Sequence, residues 1–277
     1  MDHTDLIGRT ETATDTISAA TLARLSATLG RDDPALAHGA PCPPLAHWFH
    51  FLPATPAAEI GPDGHARRGG FLPAVPDLPR RMWAGSRLAF PGTLTVGARL
   101  ERRSTIAATK ERQGQTGRLL FVTVRHEIGP PGAPPLVVDE HDIVYRGASG
   151  AAGRGEPADP GLWQRTLTPD PVLLFRFSAL TFNGHRIHYD APYVRQVEGY
   201  PGLIVHGPLV ATLLLDLVRR ERPEARVAAF SFRALSPFFV DAPLTLNGTP
   251  QADGTIALWA ADAYGAVGMR ATATVAP

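Results

Sequence analysis

The segment GPLVATLLLDLVRRERP, residues 207–223, is the feature that most constrains what this chain can fold into. Its apolar residues recur at helical spacing around most of the circumference, interrupted only by Thr212 and Asp216. A helix that is apolar on nearly all sides must be covered by other elements. Strand-like segments follow it at 226–240, at 243–250 with 255–264, and at 266–276, separated by turn sequences. The second half therefore predicts a curved antiparallel sheet around a buried helix.

The first half of the chain has a similar plan. A helix is predicted over 17–31, with Ser18 as its N-cap and Gly30 as its stop. Residues 41–91 are rich in Pro, Gly and aromatic residues, which indicates an ordered but irregular stretch. Strand candidates follow at 93–111, 117–128 and 135–147. We therefore expect an α+β fold of two similar units packed side by side, although no repeat is visible in the residues themselves.

The segment ASGAAGRGEPADPG, residues 148–161, separates these two units. It is small, polar and rich in Gly and Pro, and it has no hydrophobic periodicity. We predict an N-terminal half at 1–147, a linker at 148–165 and a C-terminal half at 166–277. Within the C-terminal half, the apolar run LLFRFSAL (173–180) is interpreted as a strand.

Composition excludes several classes of protein. The net charge of +1 and the dispersed Lys and Arg argue against nucleic-acid binding. The single cysteine, Cys42, permits neither an internal disulfide nor a thiolate-rich metal site. The longest apolar run, 209–218, is about half of the ~20 residues that a membrane span requires. The N-terminus lacks the pattern of a signal peptide, so we expect a cytoplasmic protein without membrane contact.

The candidate chemistry lies in the segment TFNGHRIHYD, residues 181–190, and in GYPGLIVHGPL, residues 199–209. The second segment places a histidine and Gly207 directly before the apolar helix, with Pro208 suited to its first turn. Free backbone N–H groups at a helix start can bind an oxyanion, and a glycine lets a ligand approach them.

These groups have complementary chemical roles. Histidine titrates near neutral pH and can transfer a proton, and an asparagine amide can hold a water molecule. The helix start can stabilise negative charge on a carbonyl oxygen. Together they suit the addition or removal of water across a double bond conjugated to a carbonyl.

The motifs NGHRIHY (183–189) and GLIVHGP (202–208), ahead of a long apolar helix, resemble the MaoC-like enoyl-thioester hydratases. That family has a hot-dog fold, in which a curved antiparallel sheet wraps a central helix. The resemblance implies a double hot-dog. In the family signature, Asn183 occupies the position of an Asp, His185 that of an Asn, Arg186 that of a Pro, and His188 that of the catalytic His.

This substituted form resembles one branch of the family. The branch comprises the mitochondrial-type 3-hydroxyacyl-thioester dehydratases and the mesaconyl-C4-CoA and itaconyl-CoA hydratases. In the first half, PPLAHWFHF (43–51), RRMWAGSRLAF (80–90), the run 109–128 and DIVYR (142–146) resemble the degenerate N-terminal hot-dog of that branch. The resemblance implies a hydratase of a short branched or dicarboxylic enoyl-CoA, with an acyl-CoA thioester as its substrate.

The resemblance also implies residue roles. His188 is the acid/base, Asn183 orients the water, and the Gly207 amide polarises the thioester carbonyl. For His185, a catalytic role and a structural hydrogen bond remain equally open. Other substrate-binding candidates are Tyr189 and His206, which position water, and Arg186 and Arg195, which suit a substrate carboxylate.

Three alternatives remain open or disfavoured. A metal site built from His185, His188 and His206 lacks an evident carboxylate or thiolate, so we expect no metal and no cofactor. The chain could instead be a 3-hydroxyacyl dehydratase of fatty-acid or polyketide synthesis that works on an acyl-carrier protein. It could also be a non-catalytic acyl-CoA-binding hot-dog protein. Because hot-dog units pair edge to edge, the halves could pair within the chain, and a homodimer is possible.

Overall fold

The computed structural model describes residues 3–114, 117–147 and 155–276. Within these ranges the strands are β1 (Thr10–Thr16), β2 (Arg80–Ala89), β3 (Arg99–Gly114), β4 (Gly117–Gly129), β5 (Val137–Arg146), β6 (Trp163–Leu167), β7 (Arg226–Ala234), β8 (Leu244–Pro250), β9 (Thr255–Asp262) and β10 (Val267–Ala276). The α-helices are α1 (Ala19–Thr28), α2 (Pro171–Leu180), α3 (Ala191–Gln196) and α4 (Gly207–Glu221).

All of these strands form one antiparallel sheet, in the order β1-β3-β4-β5-β2-β7-β10-β9-β8-β6. The two halves have the same order, since β6-β8-β9-β10-β7 matches β1-β3-β4-β5-β2 position by position. The halves meet where β2 pairs with β7, and Gly85 lies opposite Arg233 there. A Cβ on Gly85 would lie 2.3 Å from the Phe232 carbonyl oxygen, so this seam requires a glycine. The expectation of two similar units side by side is confirmed.

Helix α4 fills the inner face of the C-terminal half-sheet, as its sequence predicts. Leu209, Leu214 and Leu217 are among its fully buried side chains. Burying leucines in this way stabilises the fold by about 1.5–3 kcal/mol for each side chain. Its buried Asp216 binds Arg31, Arg165 and Arg220, at 2.9, 3.2 and 2.6 Å. Arg31 belongs to the N-terminal half, so this carboxylate also connects the two halves.

The inner face of the N-terminal half-sheet has no comparable helix among the described residues. Helix α1 has ten residues, and its Leu22 and Leu25 join the main core. Farther along the same half-sheet, Val75 and Leu78 pack in a separate cluster with Tyr145 of β5. The middle of this face is covered by no long helix of the described residues and borders a cavity.

Two sequence interpretations need correction. The run 173–180 is not a strand but most of α2, whose start carries ordinary helix signals. The Asp170 side chain accepts a hydrogen bond from the Leu173 amide at 2.7 Å, and Pro171 takes the first position. Strands β1, β2 and β6 were not predicted, whereas the helix over 17–31 is confirmed as α1.

The predicted boundaries, 1–147, 148–165 and 166–277, stay a prediction. Residues 148–154 of the linker lie outside the described ranges, and residues 163–165 begin β6. Among the helices of the described residues, none has both the length and the apolar character that crossing a bilayer requires.

Candidate active site

The histidine motif lies in the connection between α2 and α3. Asn183 lies three residues after the end of α2, and Arg186–His188 form a short 3-10 turn. Asp190 then caps α3, its side chain accepting from the Tyr193 amide at 3.0 Å. The motif is thus fixed between two helix ends and is not a free loop.

His188 is buried against the start of α4. Its Nδ1 lies 2.7 Å from the Ile204 carbonyl oxygen, which can only accept, so Nδ1 carries the proton and donates. Nε2 therefore carries the lone pair, and it has no hydrogen-bond partner among the described residues. Burial lowers the pKa of His188 to about 3. The ring is neutral at physiological pH, which is the state of a general base.

His206 connects His188 to the helix start. The two rings stack with centroids 3.5 Å apart, and His206 directly precedes Gly207. The His206 Nε2 lies 2.8 Å from Ser178 Oγ, and burial holds its pKa well below the usual value. The Gly207 amide has no acceptor among the described residues, and a Cβ on Gly207 would meet no atom within 4 Å. An oxyanion can approach this amide.

Asn183 lines the cavity with its amide group. Its Oδ1 accepts from the His185 backbone N–H at 3.0 Å, which leaves the NH₂ group free to donate to a water molecule. The His185 ring lies 5.6 Å from the His188 ring and 4.0 Å from that of His65. Burial and the neighbouring His65 lower the pKa of His185 to about 3. His185 therefore lies beside the candidate base as a neutral ring.

The two predicted carboxylate-binding arginines are engaged elsewhere. Arg186 binds Asp190 at 2.7 Å and lies over the Tyr193 ring at 4.1 Å. Arg195 donates to the Pro201 carbonyl oxygen at 3.2 Å. Neither lines the cavity, whereas the predicted Tyr189 does. A substrate carboxylate in the cavity would need another partner.

A loop of the N-terminal half, residues 61–66, packs against the histidine motif. The Asp63 carbonyl oxygen accepts from the Arg186 amide at 2.9 Å. Gly64 has φ +89°, and a Cβ there would lie 1.8 Å from the Gly184 carbonyl oxygen. Only glycine tolerates both the positive φ and the close contact with Gly184, so the N-terminal half helps to fix the position of the histidine motif.

The cavity connects the two halves. Its volume is about 1040 Å³, enough for a small acyl group and part of its carrier. His206 and Pro208 line it at the start of α4, and Trp83 lines it at β2. Its floor on the N-terminal half-sheet contains the apolar Ile128 and a cluster of four polar residues, Arg102, His126, Asp139 and His141.

Asp139 is the centre of that floor. Its Oδ2 lies 2.7 Å from Trp48 Nε1, 2.7 Å from His141 Nε2 and 3.1 Å from His47 Nε2. Burial alone would raise the pKa of Asp139, but the histidines outweigh it and the pKa lies below its usual value. Sequence reasoning missed this cluster, although VVDEHDIVY carried a signal: both faces of that strand are polar.

One set of side chains in the described residues could hold a metal ion. Candidate ligand atoms of Asp63, His65 and His185 all lie within 4.8 Å of one another. The carboxylate comes from the N-terminal half, not from the neighbourhood of the motif. The hydration chemistry derived below requires no metal at this position, and the expectation of a metal-free enzyme stays a prediction.

Comparisons with known proteins identify the family of this chain. The family model for hydroxyacyl-thioester dehydratase type 2 matches residues 45–240. A mesaconyl-C4-CoA hydratase from Chloroflexus aurantiacus is 44% identical over 270 residues, which cover 96% of this chain and 95% of the relative.

Solved structures show the same fold. A MaoC-like dehydratase from Phytophthora capsici gives a TM-score of 0.71 at 16% identity, covering 99% of this chain and 98% of that one. A Mycobacterium tuberculosis protein described as a double hot-dog gives a TM-score of 0.58 at 15% identity, covering 98% and 96%. The predicted α+β double hot-dog is confirmed. The chain belongs to the hydroxyacyl-thioester dehydratase type 2 family, and it is a hydro-lyase.

Proposed function

We propose that this protein hydrates a short dicarboxylic or branched enoyl-CoA of the mesaconyl-C4-CoA or itaconyl-CoA type. The strongest support for the substrate class is the 44% identity to a mesaconyl-C4-CoA hydratase over nearly the whole chain. The observation that supports the chemistry is the stacking of His188 and His206 at 3.5 Å, beside the open amide of Gly207. His206, which stacks on the neutral His188 ring, and Pro208, which follows Gly207, line one end of the cavity.

The reaction follows from these groups. The Asn183 NH₂ donates to the water oxygen, and His188 Nε2 accepts one of the water protons. The water oxygen then bonds to the β carbon, and the electrons of the double bond move toward the thioester carbonyl oxygen. The Gly207 amide and the start of α4 stabilise the charge on that oxygen. The imidazolium returns its proton to the α carbon, which completes the addition of water.

The other predicted residues have supporting roles in this proposal. His206 holds the His188 ring flat against the helix start and receives a hydrogen bond from Ser178 or donates one to it. Tyr189 donates to the Gly184 carbonyl oxygen at 3.0 Å and lies on the cavity wall. His185 keeps the Asn183 amide oriented through its backbone N–H. Arg186 stabilises the motif through Asp190, and Arg195 closes the following turn.

The test is the substitution His188→Gln. Loss of a general base lowers the rate by about 10²–10⁴-fold, so kcat for mesaconyl-C4-CoA should fall by that factor. The reaction is followed by the loss of the conjugated-thioester absorbance. His38→Gln is the matched control, because His38 is exposed and lies outside the cavity lining. Unchanged turnover in His188→Gln would refute the assignment of the base.

A second candidate has a specific observation in its favour. The family model describes hydroxyacyl-thioester dehydratases, which run the same chemistry in the opposite direction. If the chain acts on substrates bound to an acyl-carrier protein, it should turn over acyl-carrier-protein thioesters faster than the CoA esters in the same assay. A non-catalytic protein would bind CoA esters without turnover.

We further propose a cytoplasmic homodimer, and light scattering on the purified protein tests its mass.

A further inference from the structure

The cavity floor differs from the rest of the inner sheet surface in being polar. Across the strands, Ser104, His126 and Asp139 lie side by side, since Ser104 pairs with His126 and His126 pairs with Asp139. Ser104 and Asp139 are fully buried. Ser104 and Asp139 already have partners in the protein, but His126 lines the cavity and its Nε2 has none among the described residues. An acyl group made only of carbon and hydrogen would leave that nitrogen without a partner, at a cost in binding. The floor therefore suits an acyl group with a polar end.

Arg102 supplies a positive charge that is only weakly compensated. Its nearest carboxylate is that of Glu11, at 3.9 Å, and it donates to the Phe51 carbonyl oxygen at 3.3 Å. The Arg102 Nε is buried and has no partner among the described residues. A half-buried charge whose counter-ion lies at 3.9 Å favours the binding of an anion beside it.

His126 offers a hydrogen bond close to this charge. Its Nδ1 lies 2.9 Å from Ser104 Oγ, so Nε2 can carry the ring proton when the serine hydroxyl donates. Nε2 has no partner among the described residues. Arg102 pairs with Ile128, two residues from His126 along β4, and both Arg102 and His126 line the cavity.

Asp139 does not prevent an anion from binding here. One of its oxygens accepts from Trp48, His141 and His47, and the other is buried away from solvent. Hydrogen bonds from three donors disperse the charge of the carboxylate into the protein. The same bonds fix the orientation of His141, which packs edge to face against the His126 ring at 4.5 Å.

We propose that Arg102 and His126 bind the free carboxylate of a dicarboxylic acyl group and thereby select it over monocarboxylic enoyl-CoA esters. This proposal rests on the proposed function, and it places the thioester at the start of α4 and the carboxylate at the opposite end of the acyl group. The guanidinium supplies the charge, and the imidazole N–H fixes the position of one carboxylate oxygen.

The experiment measures a ratio of specificities. For the wild type and for Arg102→Met, kcat/KM is determined with mesaconyl-C4-CoA and with crotonyl-CoA, which lacks the carboxylate. Loss of a buried charge-assisted contact should lower the ratio of the two values by on the order of 100-fold. Arg102→Lys keeps the charge and should recover part of that loss.

Arg81→Met is the matched control, because Arg81 also lines the cavity but its side chain bonds to that of Tyr145. Its ratio should stay that of the wild type. A fall in the ratio for Arg81→Met alone would transfer the carboxylate site to Arg81 and overturn the proposal. An equal loss with both esters in Arg102→Met would also overturn it, because a fold or carrier contact would then explain the effect.

Two further measurements keep the outcomes distinct. Should Arg102→Met not fold, as judged by its thermal melting, His126→Asn tests the same ratio, with an expected fall of about 10-fold. An unchanged ratio in a folded His126→Asn protein would contradict the proposal. A wild type that hydrates neither ester would refute the proposed function itself, independently of Arg102.

Discussion

The inner faces of the two half-sheets have the same strand order but opposite contents. The C-terminal face is apolar, with Phe230, Leu246 and Leu258 packed in the same core as α4. The N-terminal face carries buried polar groups at its centre, and a cavity takes the space of a long helix there. The comparison teaches that one half supplies a rigid support, and the other supplies the room and the polar surface that a substrate needs.

The catalytic motif depends on both halves. It belongs to the C-terminal half, yet the loop at 61–66 packs against it and the cavity floor lies on the N-terminal strands. The helix start and the stacked histidines belong to the C-terminal half. The N-terminal half then determines where those groups lie and what can lie beside them.

The substitution with the largest expected effect tests the packing of α4 against the C-terminal half-sheet. Leu214→Ala removes a fully buried side chain of α4 and should lower the free energy of unfolding by about 2–5 kcal/mol. Leu162→Ala is the matched control, because Leu162 is 74% exposed and its loss should change the stability by less than about 0.5 kcal/mol. Urea denaturation measures both. Equal costs for the two variants would mean that α4 does not support the fold as described.

The next effect tests the contact between the halves. Gly64→Ala introduces a Cβ against the Gly184 carbonyl oxygen and should displace the histidine motif. Displacement by about 1 Å can lower kcat by on the order of 100-fold. Gly132→Ala has a similar positive φ, +73°, with no atom within 4 Å, so it should cost about 1–2 kcal/mol of stability without affecting kcat. Equal kcat values in both variants would contradict the positioning role of the loop.

The smallest expected effect is the pH dependence of stability that His185 and His188 cause. The pKa values of His185 and His188 are about 3 in the folded protein, below the 6.5 of an unperturbed histidine. Below pH 6.5 the unfolded chain therefore binds protons that the native protein does not, and stability falls as the pH falls toward 3. Each ring contributes up to about 1.4 kcal/mol per pH unit in that window.

Melting temperatures between pH 7.5 and 5 measure this dependence. His188→Gln should flatten it relative to the wild type, because the contribution of that ring is removed. His38→Gln should leave the slope unchanged, since His38 is exposed. A slope in His188→Gln equal to that of the wild type would show that the ring is not buried as a neutral group.

The sequence was informative where one local pattern determined the structure. The apolar periodicity of α4 and the turn residues between the later strands predicted the C-terminal half. Helix α2 was interpreted wrongly because its apolar run received more weight than the Asp170 cap and Pro171, which are the local signals of a helix start. Strand β6 is only five residues long, so its periodicity is weak.

The site was predictable only where its residues are close in sequence. Asn183, His188 and Gly207 lie on two neighbouring segments, and their types suggested the chemistry. The cavity floor unites Arg102 of β3, His126 of β4 and Asp139 of β5, which only strand pairing brings together. No spacing in a single sequence encodes that register.

The β2–β7 seam has a consequence for how such an enzyme can change. A pair of identical subunits must carry every substitution twice, so a polar floor introduced in one copy would also disrupt the helix-packing face of the other. Here the two copies are joined in one polypeptide, and each can vary separately. Only the C-terminal half carries the candidate reaction centre. The N-terminal half can therefore change its sequence to bind the substrate without disturbing the packing of α4.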